Sequence, residues 1–235
     1  MKSKIVENFK TLLIALLIAI LIRSFLIQPF YIPSSSMEPN LLVGDRIFVT
    51  KYSYGYSKHS FPFSPSIFKG RIFKKKPQYG DLVVFKTPSD NRTDYIKRVI
   101  GLPGDQIQFI NGNLFLNDNQ IFKKEYSNNS KIMCGKNEIP VIFFEEQLNK
   151  KKKYKIVINK IGSMKDSDKY IVPEKHYFFL GDNRDCSKDS RYLSSVGYVH
   201  ENNLVGKAQI IFFSNDTNKG SLFKIWNLHN SFRLD

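Results

Sequence analysis

Apolar positions along this 235-residue chain fall into two regimes. The first is a nearly unbroken block. Residues 11–22 (TLLIALLIAILI) are almost wholly apolar, and after Arg23 the apolar character resumes at Phe25, Leu26 and Ile27. Counted from Phe9 to Ile27, the nineteen residues would rise about 28 Å as a helix at ~1.5 Å each, close to a hydrocarbon core of ~30 Å. The block therefore predicts one transmembrane helix over 9–27, behind a short tail of residues 1–8. A cleavable export signal is the alternative, because Lys2, Lys4 and Lys10 ahead of the apolar run resemble its basic leading region. No small-x-small cleavage site follows, however; Ser24-Phe-Leu-Ile-Gln-Pro-Phe-Tyr31 is bulky at nearly every position. A retained anchor is favoured, with Arg23 reaching toward the outer interface. Three lysines, Lys2, Lys4 and Lys10, stand at or just inside the leading end, while residues 28–45 carry no lysine or arginine. That asymmetry puts the N-terminus in the cytoplasm and everything after Gln28 outside.

The second regime is short and β-like. Residues 46–52, 81–87, 95–100, 107–110, 113–116, 154–159, 176–180 and 205–213 are rich in β-branched and aromatic side chains and are bounded by turn residues. Asn111-Gly112 between two of these runs is a two-residue hairpin signal, since both residues tolerate positive φ. No long helical periodicity appears beyond the anchor. The pattern predicts a mostly β protein: a single N-terminal transmembrane helix, then an all-β core of antiparallel sheets over 28–104 and 174–213. Residues 118–172 turn polar, with weaker strand signals, so a smaller β domain inserted over 105–173 is expected. In the tail, 214–235, Leu222, Phe223, Trp226, Leu228 and Phe232 alternate with Lys224 and Arg233, a composition suited equally to resting on a bilayer and to packing on the core.

A hydrophobic content of 42% excludes a disordered chain. The net charge of +15 and the runs Lys74–Lys76 and Lys150–Lys153 invite a nucleic-acid reading. The anchor redirects it, because an exported domain beside a bilayer meets anionic headgroups rather than nucleic acid. Cys134 and Cys186 are the only cysteines. Their spacing matches no metal site, and the sequence leaves their pairing open.

Three segments carry candidate chemistry. In Thr93-Asp-Tyr-Ile-Lys-Arg-Val-Ile-Gly101, strand alternation puts Tyr95, Lys97 and Val99 on one face and Ile96, Arg98 and Ile100 on the other. A buried lysine loses part of its basicity and can serve as a base, whereas an arginine stays protonated; a strand-end lysine extending to water is the plainer alternative. Ile32-Pro-Ser-Ser-Ser-Met-Glu-Pro39 is a constrained serine loop just beyond the anchor, either a turn or the seat of a nucleophile. Gly181-Asp-Asn-Arg-Asp-Cys-Ser-Lys-Asp-Ser-Arg191 follows an apolar strand. Its aspartates miss the alternating spacing of a calcium loop, and its arginines would repel a cation, so ion pairs and turn bonds are expected there.

Taken together, IPSSSMEPNL, GDRIFVTKYSYG, YGDLVVFKTP, DYIKRVIGLPGD and GDNRDCSKDSR, in this order after an anchor ending in RSF, resemble the bacterial type I signal peptidases. These are membrane-bound serine endopeptidases that remove signal peptides from exported proteins. The resemblance implies a serine–lysine dyad, with Ser36 as nucleophile and Lys97 as general base, and neither cofactor nor metal. It implies that Ser34 contributes to the oxyanion hole and that Ser187 orients the lysine. Asp182, Arg184, Asp189 and Arg191, with Arg98, would hold an ionic scaffold. Phe30, Ile32, Met37, Leu41, Val84, Tyr95 and Ile96 would line shallow pockets for small residues at positions −1 and −3 of the substrate. The implied setting is the bacterial plasma membrane, with the catalytic domain on the outer, periplasmic face. The implied partners are preprotein signal peptides, the lipid bilayer and a nearby secretion translocon, with no nucleic acid. Ser35, Asn40 and Cys186 depart from the glycine, threonine and asparagine usual at their positions. The rivals are a Ser-His-Asp hydrolase using one of His59, His176, His200 or His229, a tethered lipid- or partner-binding module without chemistry, and the self-cleaving repressors, which share the dyad but carry a DNA-binding N-terminus in place of an anchor.

Overall fold

The computed structural model describes residues 2–65, 69–149, 152–214 and 226–227. Most of the C-terminal tail, including Leu222, Phe223, Leu228 and Phe232, lies outside the described residues, as do Lys150 and Lys151 of the second lysine run. Helix α1 spans Lys2–Phe25, and its apolar side chains from Ile5 to Ile22 are exposed. A 22-residue stretch of it, Lys4–Phe25, is long and apolar enough to cross a bilayer. The helix stops two residues short of the expected end because Ile27 is already paired with Thr50 in a sheet.

The strands follow in order: β1 Ile27–Tyr31, β2 Arg46–Thr50, β3 Leu82–Lys86, β4 Asp94–Gly101, β5 Gln106–Ile110, β6 Asn113–Leu116, β7 Asn119–Gln120, β8 Phe122–Cys134, β9 Asn137–Asn149, β10 Lys152–Asn159, β11 Tyr170–Ile171, β12 His176–Leu180, β13 Val199–His200, β14 Leu204–Phe213 and β15 Trp226–Asn227. All pair antiparallel. The main sheet has the order β1-β2-β14-β3-β4-β12-β13, with β15 against β14. Two smaller sheets, β11-β5-β6-β7 and β10-β9-β8, are built from the segment between β4 and β12. The protein is mostly β, an apolar helix followed by antiparallel sheets.

Central strands of the main sheet are buried on both faces, which is why they read as continuous apolar runs. In β3, Leu82 and Val84 join Ile32, Met37, Leu41, Ile47 and Val49 in one core, while Val83 and Phe85 join Val99, Tyr177 and Phe179 in another. A third core binds the smaller sheets to the main one: Ile100, Phe178 and Leu180 pack with Ile107, Leu114, Tyr154 and Ile156. The Asn111-Gly112 turn closes β5 and β6 with both residues at positive φ, as its sequence requires.

Two long strands escaped the sequence pattern. β8 and β9 have 13 residues each and form a hairpin whose first strand is mostly polar and whose second, about half apolar, carries Pro140. Besides pairing and the burial of Val141 and Leu148, the hairpin has a covalent tie: Cys134 at its tip is disulfide-bonded to Cys186, with Cα atoms 5.6 Å apart. The bond closes a loop of sequence separation 52. On loop-closure entropy, such a cross-link stabilises by up to ~4 kcal/mol. Cys134→Ser is accordingly expected to lower the thermal unfolding temperature of the purified chain, and dithiothreitol should lower the wild type to the same value; an unchanged midpoint in both cases would show that the hairpin needs no tie.

Candidate active site

Ser35–Met37 forms a single 3-10 turn, and Met37 and Leu41, both 0% exposed, nail the loop into the core beneath it. Above the turn, the loop after β12 holds it by backbone bonds. The Asn183 N–H donates to the Ser36 carbonyl at 3.2 Å, and the Asn183 amide donates to the Ser35 carbonyl at 3.1 Å. Gly181 makes this approach feasible. A Cβ built there would lie 2.6 Å from the Ser36 carbonyl oxygen and 2.1 Å from the Ser187 hydroxyl. Neither Asn183 nor Gly181 stood out in the sequence beyond membership of the Gly181–Arg191 segment.

Strand β4 brings Lys97 to the same place. Its Nζ is 2.8 Å from Ser36 Oγ and 2.9 Å from the Ile96 carbonyl. Ser34 Oγ stands 3.3 Å from Ser36 Oγ. Burial pushes the Lys97 ammonium down to about 8, against the opposing pull of Asp189 and Asp182. Lys51 is pushed down to about 8 as well, again chiefly by burial. Basicity alone therefore does not distinguish the two lysines. Contact with a hydroxyl does, and Lys97 has it. The expected bond from Ser187 to Lys97 is absent: Ser187 Oγ is buried without a hydrogen-bond partner among the described residues, and the described bonds of Lys97 go to Ser36 and Ile96.

Ionic contacts fix the elements around this pair. Arg98 Nε and Nη2 each lie 2.6 Å from a different oxygen of Asp182, a two-point clamp between β4 and the Gly181–Arg191 loop. Asp182 also accepts from Asn40 at 2.7 Å, linking the serine loop to the clamp. Asp189 accepts from Arg191 Nε at 2.8 Å and from the Gly181 N–H at 3.0 Å. Arg184 turns the other way, pairing with Glu146 of β9, which also accepts from the Tyr154 hydroxyl at 2.8 Å. Glu146 lies outside the segments that pointed to a site, and nothing in its polar surroundings marked it.

A cleft of ≈ 600 Å³ opens over the dyad, lined by Ser34, Ser36, Lys97, Tyr95 and Ile96. Of the seven expected pocket residues, only Tyr95 and Ile96 line it. Ile32, Met37, Leu41 and Val84 are sealed in the core, 2% exposed or less, because the serine loop needs an apolar floor. Phe30 faces a separate cavity. The opposite wall was not foreseen: Met133 and Gly135, at the tip of the β8–β9 hairpin, with Cys186 and Lys188. The disulfide thus ties the hairpin tip beside the serine turn. No described histidine bonds to Ser36. His59 contacts Ser64, His176 contacts the Glu174 carbonyl, and His200 accepts from the Asn202 N–H, whereas His229 lies outside the described residues.

Residues 5–213 match the family described as signal peptidase, peptidase S26. The signal peptidase I of Rickettsia typhi is 42% identical over 88% of this chain and 80% of its own length. That of Rickettsia akari is 44% identical over 86% and 77%. A solved signal peptidase I from Enterococcus faecalis V583, 28% identical, covers 57% of this chain and 97% of its own, at a TM-score of 0.33 that is too low to bear on the fold. The chain belongs to the S26 signal peptidase family and is a peptidase of the serine type. The contact at Gly181 yields a prediction independent of chemistry. Gly181→Ala should separate the two loops and lower kcat at least tenfold while circular dichroism stays β-rich; wild-type kcat would mean the loops yield freely.

Proposed function

We propose that this protein is a membrane-anchored endopeptidase that removes N-terminal signal peptides from exported preproteins, with Ser36 as nucleophile and Lys97 as general base. The observation that carries this reading is the 2.8 Å contact between a hydroxyl and a buried amine whose basicity burial has lowered. In the neutral form the Lys97 amine accepts the Ser36 proton, and Oγ attacks the scissile carbonyl. The tetrahedral oxyanion forms next to Ser34, whose hydroxyl, with the Ser36 N–H, is suited to donate to it; one such donor contributes ~3–4 kcal/mol. Lys97 then passes the proton to the leaving amine, and the acyl–enzyme is hydrolysed by water activated in the same way. Asn183, Asp182 and Arg98 act as positioning residues, holding the loop that carries oxygen against the strand that carries nitrogen.

The substrate enters the cleft as an extended chain, its small side chains at −1 and −3 selected by walls set close to the dyad, Tyr95 and Ile96 among them. Helix α1 anchors the enzyme, with its lysine-bearing end in the cytoplasm and the sheets on the outer face of the plasma membrane, in reach of the translocon. The Ser187 hydroxyl, buried beside the Ser36 carbonyl, serves this assembly by filling the space under Gly181.

Two outcomes test the dyad. Ser36→Ala and Lys97→Ala should each abolish cleavage of a preprotein in detergent micelles, and sequencing the new N-terminus from wild-type reactions should place the cut after a small-x-small motif. Activity within tenfold of wild type in either variant would end the assignment. For pH, the sign follows from the protonated form being inactive as a base. With Lys97 at about 8, the neutral fraction is near one-tenth at pH 7 and one-half at pH 8, so kcat/KM should rise about tenfold per pH unit below pH 7, about fivefold more to pH 8, and level off by roughly pH 9. A rise continuing to pH 10 would place the amine at its free value and remove the role of burial.

A further inference from the structure

A second cluster of charge, at the end of α1 that enters the sheet, has no part in the chemistry above. A cavity of ≈ 420 Å³ opens there between the last turn of the helix, the loop after β2 and the β3–β4 turn. Arg23, Lys58, Lys86 and Arg92 line it. Its two carboxylates are already committed: Asp94 pairs with Lys86 at 2.8 Å, while Asp90 accepts from the hydroxyls of Thr87 and Thr93 and from the Arg92 N–H. Arg23, Lys58 and Arg92 have no carboxylate partner among the described residues.

A buried ammonium and an orphaned hydroxyl lie close by. Lys51 is 1% exposed, its ammonium has no hydrogen-bond acceptor among the described residues, and its charge is coupled to Arg23, Lys86 and Asp94 of the lining. Its backbone N–H bonds to Leu26 at 2.9 Å, which sets it alongside the end of the helix. Ser24 Oγ, next to Arg23, is buried without a partner among the described residues. A buried ammonium that Asp94 compensates only in part, with Arg23 and Lys86 opposing it, is costly, and an anion at this spot would relieve it. At the rim, Phe63 and Ser64 hold φ of 61° and 50°, left-handed backbone that non-glycine residues avoid. The result is a Phe63 ring fully exposed beside the cavity and the apolar helix.

We propose that this cavity binds the phosphate of an anionic phospholipid headgroup, with Arg23, Lys58 and Arg92 as its ligands, Lys51 as the buried counter-charge and Phe63 in the acyl boundary. The recognised chemistry is a phosphate anion. A lipid is its source because the cavity sits where α1, read above as the anchor, would leave the bilayer, a level at which phosphates and snorkelling cations meet. The inference rests on that anchoring.

The test uses the full-length protein in uncharged detergent, following thermal unfolding during titration with dihexanoyl-phosphatidylglycerol, dihexanoyl-phosphatidylcholine or inorganic phosphate. Phosphatidylglycerol at ~100-fold over its Kd should raise the midpoint by about 5–10 °C, with little response to the other two. The rise should vanish in Lys58→Ala/Arg92→Ala, whose side chains are not buried, and in Lys51→Met if that variant folds. An equal rise with inorganic phosphate would overturn the lipid as source. An equal rise with phosphatidylcholine, no rise at all, or a rise that survives in the double variant would overturn the site. Preprotein cleavage in the same micelles and protease protection of the N-terminal tail in vesicles report on the peptidase and the anchor separately, so failure of either is told apart from failure of the site.

Discussion

Everything at this site depends on removing one ammonium from water. Lys97 sits on a strand both of whose faces are covered, so its charge has no hydration shell and its nearest carboxylates, Asp189 and Asp182, act at a distance rather than by direct contact. Asp182 is taken up by Arg98 and Asn40, and Asp189 by Arg191 and the Gly181 N–H. Had either carboxylate been free to bond Lys97, the amine would be held in its charged form and would have no use as a base. The ion pairs of the Gly181–Arg191 loop therefore act partly by keeping acids occupied.

The same loop solves a packing problem. The turn carrying Ser36 is short, polar and close to the surface, and such turns are mobile unless held. Here it is held from below by Met37 and Leu41 and from above by Asn183. A buried Arg98–Asp182 pair contributes little net stability over an apolar pair of equal volume, but losing one partner costs ~3–5 kcal/mol, so it enforces one arrangement of strand and loop.

The strands of the main sheet were legible because burial on both faces leaves continuous apolar runs, and the Asn111-Gly112 turn because so few residues tolerate its backbone. The Ser36 and Lys97 segments were legible as unusual chemistry in apolar company, and the resemblance brought them together. The β8–β9 hairpin was not legible: its first strand is mostly polar, its second is interrupted by Pro140, and part of what holds it is a cross-link between residues 52 apart in sequence. The expected pocket residues were misplaced for a related reason. An apolar residue near a site serves equally well as floor or as wall, and Met37 and Leu41 are floor. The wall opposite the dyad comes from Met133 and Gly135, whose role depends on the fold of a distant segment.

Only Leu26 separates the end of α1 from β1, and β1 is locked to β2 along its full length. There is no flexible tether between helix and sheet. From Phe25 to Ser36 the chain is eleven residues, which reach at most ~40 Å when fully extended. With α1 as the proposed anchor, the join would act as a ruler, the height of Ser36 above the bilayer being set by the protein rather than sampled. On the function proposed above, the choice of peptide bond would then depend on how far a substrate protrudes as well as on which side chains it offers. A residue inserted beside Leu26 would alter that height and rotate the sheet relative to the helix without touching Ser36 or Lys97.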